Sequence, residues 1–303
     1  RLLMHWFGLR SDPYTADMAN YLPNYAVFSL RVTLLPLFVF YYIAGWSLIR
    51  LPASGDETFK DMVFCRTLFY DKLIQEWCER LKNRRQKGQL VLLGAGYDTR
   101  ALQRDRFDFQ GQRFEVDHER VQTIKRSAYQ QRAACRQSAS EDVVFVTVDF
   151  KQDRDWVNKL RQAGFDEQTP ALFLWEGVTL YLPEEAVLQT IQEIKDLCQQ
   201  APAASCVLVT GLYSTSFVDG SYSPRLKKAQ AMLEKTGEPF LWGLPFGIDD
   251  QWKSVLRSFV TDTCGAVLGN HMALGARHEK GPYVCCTEIQ IPSGVDRKVP
   301  IVL

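Results

Sequence analysis

Three carboxylates follow three short apolar runs. Asp117 closes Phe114-Glu115-Val116-Asp117, Asp149 comes after Val143–Val148, and Glu176 comes after Ala171–Trp175. Upstream of all three, Leu90-Val91-Leu92-Leu93 runs into Gly94-Ala95-Gly96. Parallel α/β sheets bind ligands just beyond the carboxyl ends of their strands, so a glycine turn followed by acids at successive strand ends describes the rim of one site. The turn lets backbone approach a ligand closely, although many such turns serve packing alone. Asp117 lies 21 residues past Gly96, a spacing at which an acid accepts from both hydroxyls of a ribose. Taken singly, each acid is equally a helix N-cap or a surface charge. Three in order predict a nucleoside-containing cofactor.

Two cofactors compete for that description. A nicotinamide dinucleotide sets its pyrophosphate on the glycine turn and the helix N-terminus behind it. Here the turn continues Tyr97-Asp98-Thr99, which brings a carboxylate toward that phosphate and puts Thr99 where the fingerprint has its third glycine. S-adenosylmethionine carries a sulfonium and an ammonium instead, and carboxylates suit both. Asp149 can accept from the adenine amine and Glu176 can face the methionyl ammonium. S-adenosylmethionine is the better match.

The elements that must position these residues follow from periodicity. Apolar runs alternate with helix-period segments from Gln89 onward, which predicts βα units and an α/β fold with a mostly parallel sheet. Glu119–Gln131 reads as a helix. Glu184–Gln200 reads as another, with Val187, Ile191, Ile194 and Cys198 on one face and acids complementing its dipole. Cys206–Thr210 is a fifth strand, Gln251–Phe259 a late helix and Tyr283–Ile291 the last strand.

Composition narrows the function classes. In 303 residues, 36 basic against 35 acidic side chains give a formal charge of +1, so no basic field exists to collect nucleic acid. The eight cysteines include no CxxC pair and predict buried, reduced thiols in a cytoplasmic protein. His5, His118, His271 and His278 are too scattered for a zinc site, and neither HExxH nor GxSxG occurs. The uncharged stretch Val32–Ile49, about 27 Å long as a helix, reads as a buried hairpin or a lid over a pocket in preference to a membrane contact. Pro36 and Gly45 break a continuous span there. The chain starts at Arg1, which leaves a removed targeting segment open.

Gly94-Ala95-Gly96-Tyr97-Asp98-Thr99-Arg100, Phe114-Glu115-Val116-Asp117 and Trp175-Glu176-Gly177-Val178-Thr179-Leu180-Tyr181-Leu182-Pro183 together resemble the leucine carboxyl methyltransferase family. Ser11-Asp12-Pro13-Tyr14 and Arg66 in Cys65-Arg66-Thr67 extend the likeness, which runs from about Asp12 to about Leu233. The resemblance implies a class I, Rossmann-like methyltransferase sheet with an antiparallel last strand. It also implies an N-terminal helical cap (1–85, with the apolar segment 32–49) and a cofactor domain (86–303). A lid would be inserted at about 213–250, after the fifth strand. It further implies that Arg66 binds the cofactor carboxylate, and that Asp117, Asp149 and Glu176 contact ribose, adenine and methionyl amine. Gly94, Ala95, Gly96 and Asp98 form the turn around the cofactor, Phe150 accompanies Asp149, and His118 is a cofactor-side contact or a helix start. Tyr181 would lie at the edge of the acceptor pocket and position the acceptor. A local salt bridge to Asp61 or Asp71 is the alternative for Arg66.

Two departures bear on the substrate. The stretch between Asp12-Pro13-Tyr14 and Arg66 is longer than in the family's phosphatase-methylating member, and it holds the apolar segment. A lysine near the N-terminus for the cofactor carboxylate has no evident match. The expectation is an O-methyltransferase acting on a hydrophobic small molecule, at a carboxylate in preference to a hydroxyl. The rivals are a methyltransferase of protein C-terminal carboxylates and a methyltransferase-like binding protein without turnover, tied to a membrane or partner by Val32–Ile49.

Overall fold

The computed structural model describes residues 10–18, 59–136, 143–150, 155–202, 205–235 and 239–293. Its seven strands are β1 (Gly88–Leu93), β2 (Gly111–Asp117), β3 (Val143–Thr147), β4 (Ala171–Trp175), β5 (Cys206–Tyr213), β6 (Val267–Leu274) and β7 (Val284–Ile291), in the spatial order β3-β2-β1-β4-β5-β7-β6. β1 pairs in parallel with β2 and β4, while β7 runs antiparallel to both β5 and β6. This is the mostly parallel Rossmann-like sheet with an antiparallel last strand expected from the sequence.

β1, β4 and β5 are buried along their whole length because both of their faces are covered. Successive side chains alternate faces, and the two cores divide accordingly. Leu90 and Leu92 of β1, with Leu172 and Leu174 of β4, pack against Tyr70, Ile74 and Trp77 of the long helix α2 (Phe59–Arg84). Val91 and Phe173 belong to the opposite core, closed by α4 (Trp156–Gln162), α5 (Glu184–Leu197) and α8 (Gln251–Ser258). Each fully buried leucine or phenylalanine contributes about 1.5–3 kcal/mol. Two buried helix-bearing layers therefore fix where the strand ends lie.

The short α1 (Pro13–Met18) is started by Asp12, whose Oδ1 accepts from the Thr15 N–H at 3.0 Å. α3 (Glu119–Arg136) runs five residues beyond its expected end at Gln131. α5 stops at Leu197, where Cys198 leaves the helical pattern. Between β5 and α8 lie α6 (Thr215–Val218) and α7 (Pro224–Lys235), in the region where an insertion was expected. β6 was not anticipated: its half-exposed edge carries a bulge between Leu268 and His271 that breaks the alternation a strand normally shows. The segment 32–49 lies outside the described residues. Among the described residues, no helix is long and apolar enough to cross a membrane.

Candidate active site

The carboxyl ends of β1 and β4 open onto a cavity of about 360 Å3 lined by Arg66, the turn 94–98, Glu176 and Gly177, together with Val63. The turn needs its glycines. Gly94 (φ 62°) and Gly96 (φ 46°) are left-handed, and a Cβ on Gly94 would stand 2.5 Å from Val178 Cγ2. Asp117 ends β2 directly beside this turn. Its Oδ2 accepts from the Gly96 N–H at 2.5 Å and its Oδ1 from the His118 N–H at 2.6 Å. Each oxygen keeps acceptor capacity for a further donor. The expected pairing of turn and acid is therefore present in space, not only in spacing.

The far side of the cavity is an ion network. Arg66, on α2, donates from Nε to Glu176 Oε1 and from Nη1 to the Tyr213 hydroxyl, both at 3.0 Å. Its Nη2 makes no hydrogen bond among the described residues, which leaves a donor for a carboxylate. Asp71, the local partner weighed from sequence, is instead bound by Arg10, Arg100 and Arg106. Burial works against the Arg66 charge, but Tyr213 and Glu176 outweigh it and hold the guanidinium pKa above its ordinary value. Burial raises the Tyr213 phenol, which stays protonated at neutral pH.

Arg100 sits fully buried behind this pair. Its Nη1 donates to Asp98 Oδ2 at 2.7 Å and Glu176 Oε2 at 2.6 Å, and its Nε to Asp71 Oδ1 at 2.7 Å. From the other side, buried Lys125 of α3 donates to the Asp98 carbonyl at 2.8 Å and pairs with Glu115 at 2.6 Å. The turn is thus clamped by charge on both flanks. Below it, Thr99 Oγ1 donates to Asp12 Oδ2 at 2.8 Å, which ties the segment before α1 to the same turn.

The remaining expected residues are not among those that line this cavity. His118 is exposed, and its Nδ1 accepts from the Arg120 N–H at 3.2 Å at the start of α3. In the neutral ring Nε2 then carries the proton and is a donor. Asp149 and Phe150 follow β3 half-buried, and the Phe150 ring centroid lies 6.4 Å from that of Trp156. Tyr181 closes a 3-10 turn after β4, edge-on to Phe240 at 5.4 Å. Phe240 stacks on Phe217, which touches Tyr213, so an aromatic cluster begins at the Arg66 pole. Sequence reasoning gave Tyr213 and Arg10 no role, quoted Arg100 only within the turn motif, and weighed Asp71 only as a salt-bridge partner of Arg66. Tyr213 lies at the carboxyl end of β5, where the strand-end rule points. The expected fifth strand stopped three residues short of it.

Chemically, the arrangement offers acceptors for an ammonium at Asp98 and Glu176, a donor for a carboxylate at Arg66, and an acid beside the turn for vicinal hydroxyls. Among the described residues, no group of three or more His, Cys, Asp or Glu side chains is placed to hold a metal ion.

Comparison with known proteins agrees with the first reading of these motifs. A protein of Streptomyces avermitilis, provisionally named as an S-adenosyl-L-methionine-dependent methyltransferase, is 36% identical over 127 residues, covering 41% of this chain and 40% of its own. One of Saccharopolyspora erythraea with the same provisional name is 34% identical over 160 residues, covering 48% of this chain and 50% of its own. The chain thus spans about half the length of the curated relatives it matches. A solved structure provisionally described as a methyltransferase of Thermobifida fusca aligns with TM-score 0.46 at 14% identity, over 79% of this chain and 91% of that one. The profile of the leucine carboxyl methyltransferase family matches residues 50–195, the stretch that holds Arg66, the glycine turn and the three strand-end acids. Over residues 50–195, a little under half of its length, the chain is similar to the leucine carboxyl methyltransferase family.

Proposed function

We propose that the chain is an S-adenosylmethionine-dependent O-methyltransferase whose acceptor is a hydrophobic small molecule, methylated at a carboxylate. The observation that carries the reading is one cavity lined by Arg66 and Glu176, which suit an amino-acid group, and by the glycine turn, which Asp117 holds through the Gly96 N–H and which suits a nucleoside. The residues present fit the cofactor, since among the described residues Arg66 Nη2 makes no hydrogen bond and the turn has no side chain in the ligand's path at Gly94 and Gly96. Arg66 would bind its carboxylate, Glu176 and Asp98 its ammonium, Asp117 its ribose, and Asp149 with Phe150 its adenine, with His118 alongside. When bound, the cofactor supplies an electrophilic methyl group on a positively charged sulfur.

The chain's own contribution is placement and exclusion of water. Residues 1–85 serve as the cap and 86–303 as the cofactor domain. The segment 213–250 serves as a lid whose Phe217 and Phe240 extend an apolar wall from Tyr181, the residue assigned to acceptor positioning. A dry wall favours a step in which opposite charges cancel. A carboxylate acceptor is ionised at neutral pH and needs no base. His278 stacks on Tyr222 of this cluster at 4.2 Å, but its Nδ1 accepts from the Lys280 N–H at 3.2 Å. In the neutral ring its other nitrogen holds the proton and cannot take one, which favours the carboxylate over a hydroxyl. Seven described cysteines are free thiols, six of them buried, which supports a reducing, cytoplasmic setting.

The test is turnover with matched apolar carboxylic acids, phenols and peptides with a free C-terminus. The acids should be methylated at a rate flat from about pH 6 to about pH 9. A rate that rises through a basic group's pKa on phenols alone, or preference for the peptides, overturns the acceptor assignment and leaves the cofactor assignment standing.

A further inference from the structure

We propose that Arg100 is a positioning residue that holds Asp98 and Glu176 at the separation and orientation required by the ammonium of the bound cofactor; the proposal rests on the cofactor reading above. Arg100 is 0% exposed, and one guanidinium reaches acids from three elements: Asp71 on α2, Asp98 in the glycine turn and Glu176 at the end of β4. Two of these three line the cavity. A single nitrogen, Nη1, donates to both of them, so the distance between a turn residue and a strand-end residue is set by one atom. The Arg100 main-chain N–H takes the other Asp98 oxygen at 2.9 Å, so both oxygens of that carboxylate are oriented by one residue.

Glu176 is held in the same way. Its Oε2 faces Arg100 and its Oε1 faces Arg66, which prevents rotation of the carboxylate. Through Nε, Arg100 also grips Asp71, five residues beyond Arg66 on the same helix, so α2 is braced where it delivers Arg66 to the site. Without the shared cation, Asp98 and Glu176 are neighbouring like charges in a poorly hydrated site and must separate or take up a proton. Either response degrades the ammonium subsite and leaves the nucleoside end, built on Asp117, as it was.

That asymmetry gives the test. Calorimetric titrations of wild type, Arg100→Gln and Arg100→Lys would use S-adenosylhomocysteine and 5′-methylthioadenosine, which shares the nucleoside but lacks the amino-acid group. Arg100→Gln should weaken S-adenosylhomocysteine by about tenfold to a hundredfold and change methylthioadenosine by less than about threefold. Arg100→Lys keeps the charge without the fork and should fall between wild type and Arg100→Gln. If Arg100→Gln does not fold, Arg100→Lys carries the same comparison between the two ligands. Equal losses for both ligands, or no loss for S-adenosylhomocysteine, overturn the positioning role. Wild-type protein that binds neither ligand overturns the cofactor reading, and this proposal with it.

Discussion

Arg100 is fully buried with Glu176 half-buried beside it, and the two are joined to Arg66, Asp98 and Asp71 by bonds of 2.6–3.0 Å. At the other end of the site as proposed, Asp117 beside the glycine turn and Asp149 after β3 are also half-buried, and His118 is exposed. The closed end has every charge answered by an opposite charge in low dielectric, where unpaired ions are costly. At the open end, Asp117 is held by two backbone N–H groups and faces water. On the proposed reading, ligand binding and folding are coupled at the amino-acid end and separable at the nucleoside end. A carboxylate there is part of the scaffold; here it is mainly a contact.

The sharpest way to break that contrast is Glu176→Ala, which strands Arg66 and Arg100 without their common partner. Stability should fall by about 3–5 kcal/mol in urea denaturation, alongside loss of S-adenosylhomocysteine binding. A variant as stable as wild type would mean that the two ends do not differ. Asp117→Ala comes next: binding should weaken about tenfold to a hundredfold, while unfolding changes by only about 1 kcal/mol. A large stability loss without an affinity loss would reassign Asp117 to holding the turn.

The smallest effect concerns the strap beneath the turn. Burial opposes the Asp12 charge, but hydrogen bonds from Thr15 and Thr99 and the charge of Arg10 prevail, so its pKa lies below the ordinary carboxylate value. A depressed acid contributes stability that is present above the unfolded value of 3.8 and is lost as pH falls through the folded one. Thermal melts from about pH 6 down to about pH 3 should therefore fall less steeply for Asp12→Asn than for wild type. Parallel acid limbs would remove Asp12 from the network that supports the site.

Much of this was legible in the sequence because strand ends obey a simple rule. The run ending in Glu176 is continuous and apolar, as a buried parallel strand must be, so its acid fell at the cavity by topology alone, whereas the strand ending in Asp117 carries buried Arg113 and Glu115. Arg66 was assigned through resemblance, and its choice of Glu176 over Asp71 is settled only by the fold. Asp71 is drawn away by three other arginines, from residues 10, 100 and 106, which no local spacing reveals. Tyr213 escaped because Gly211 interrupts the apolar run before the strand is finished. β6 escaped because Gly269 and Asn270 occupy its bulge, and an edge strand needs no continuous apolar face.

The central claim is that one cavity binds S-adenosylmethionine through two differently built ends. A calorimetric titration of the wild-type chain with S-adenosylhomocysteine, repeated with a nicotinamide dinucleotide, tests it most directly. The account predicts saturable one-to-one binding of S-adenosylhomocysteine and none of the dinucleotide, whose pyrophosphate would meet Asp98. Binding of the dinucleotide in preference to S-adenosylhomocysteine, or of neither, would contradict it.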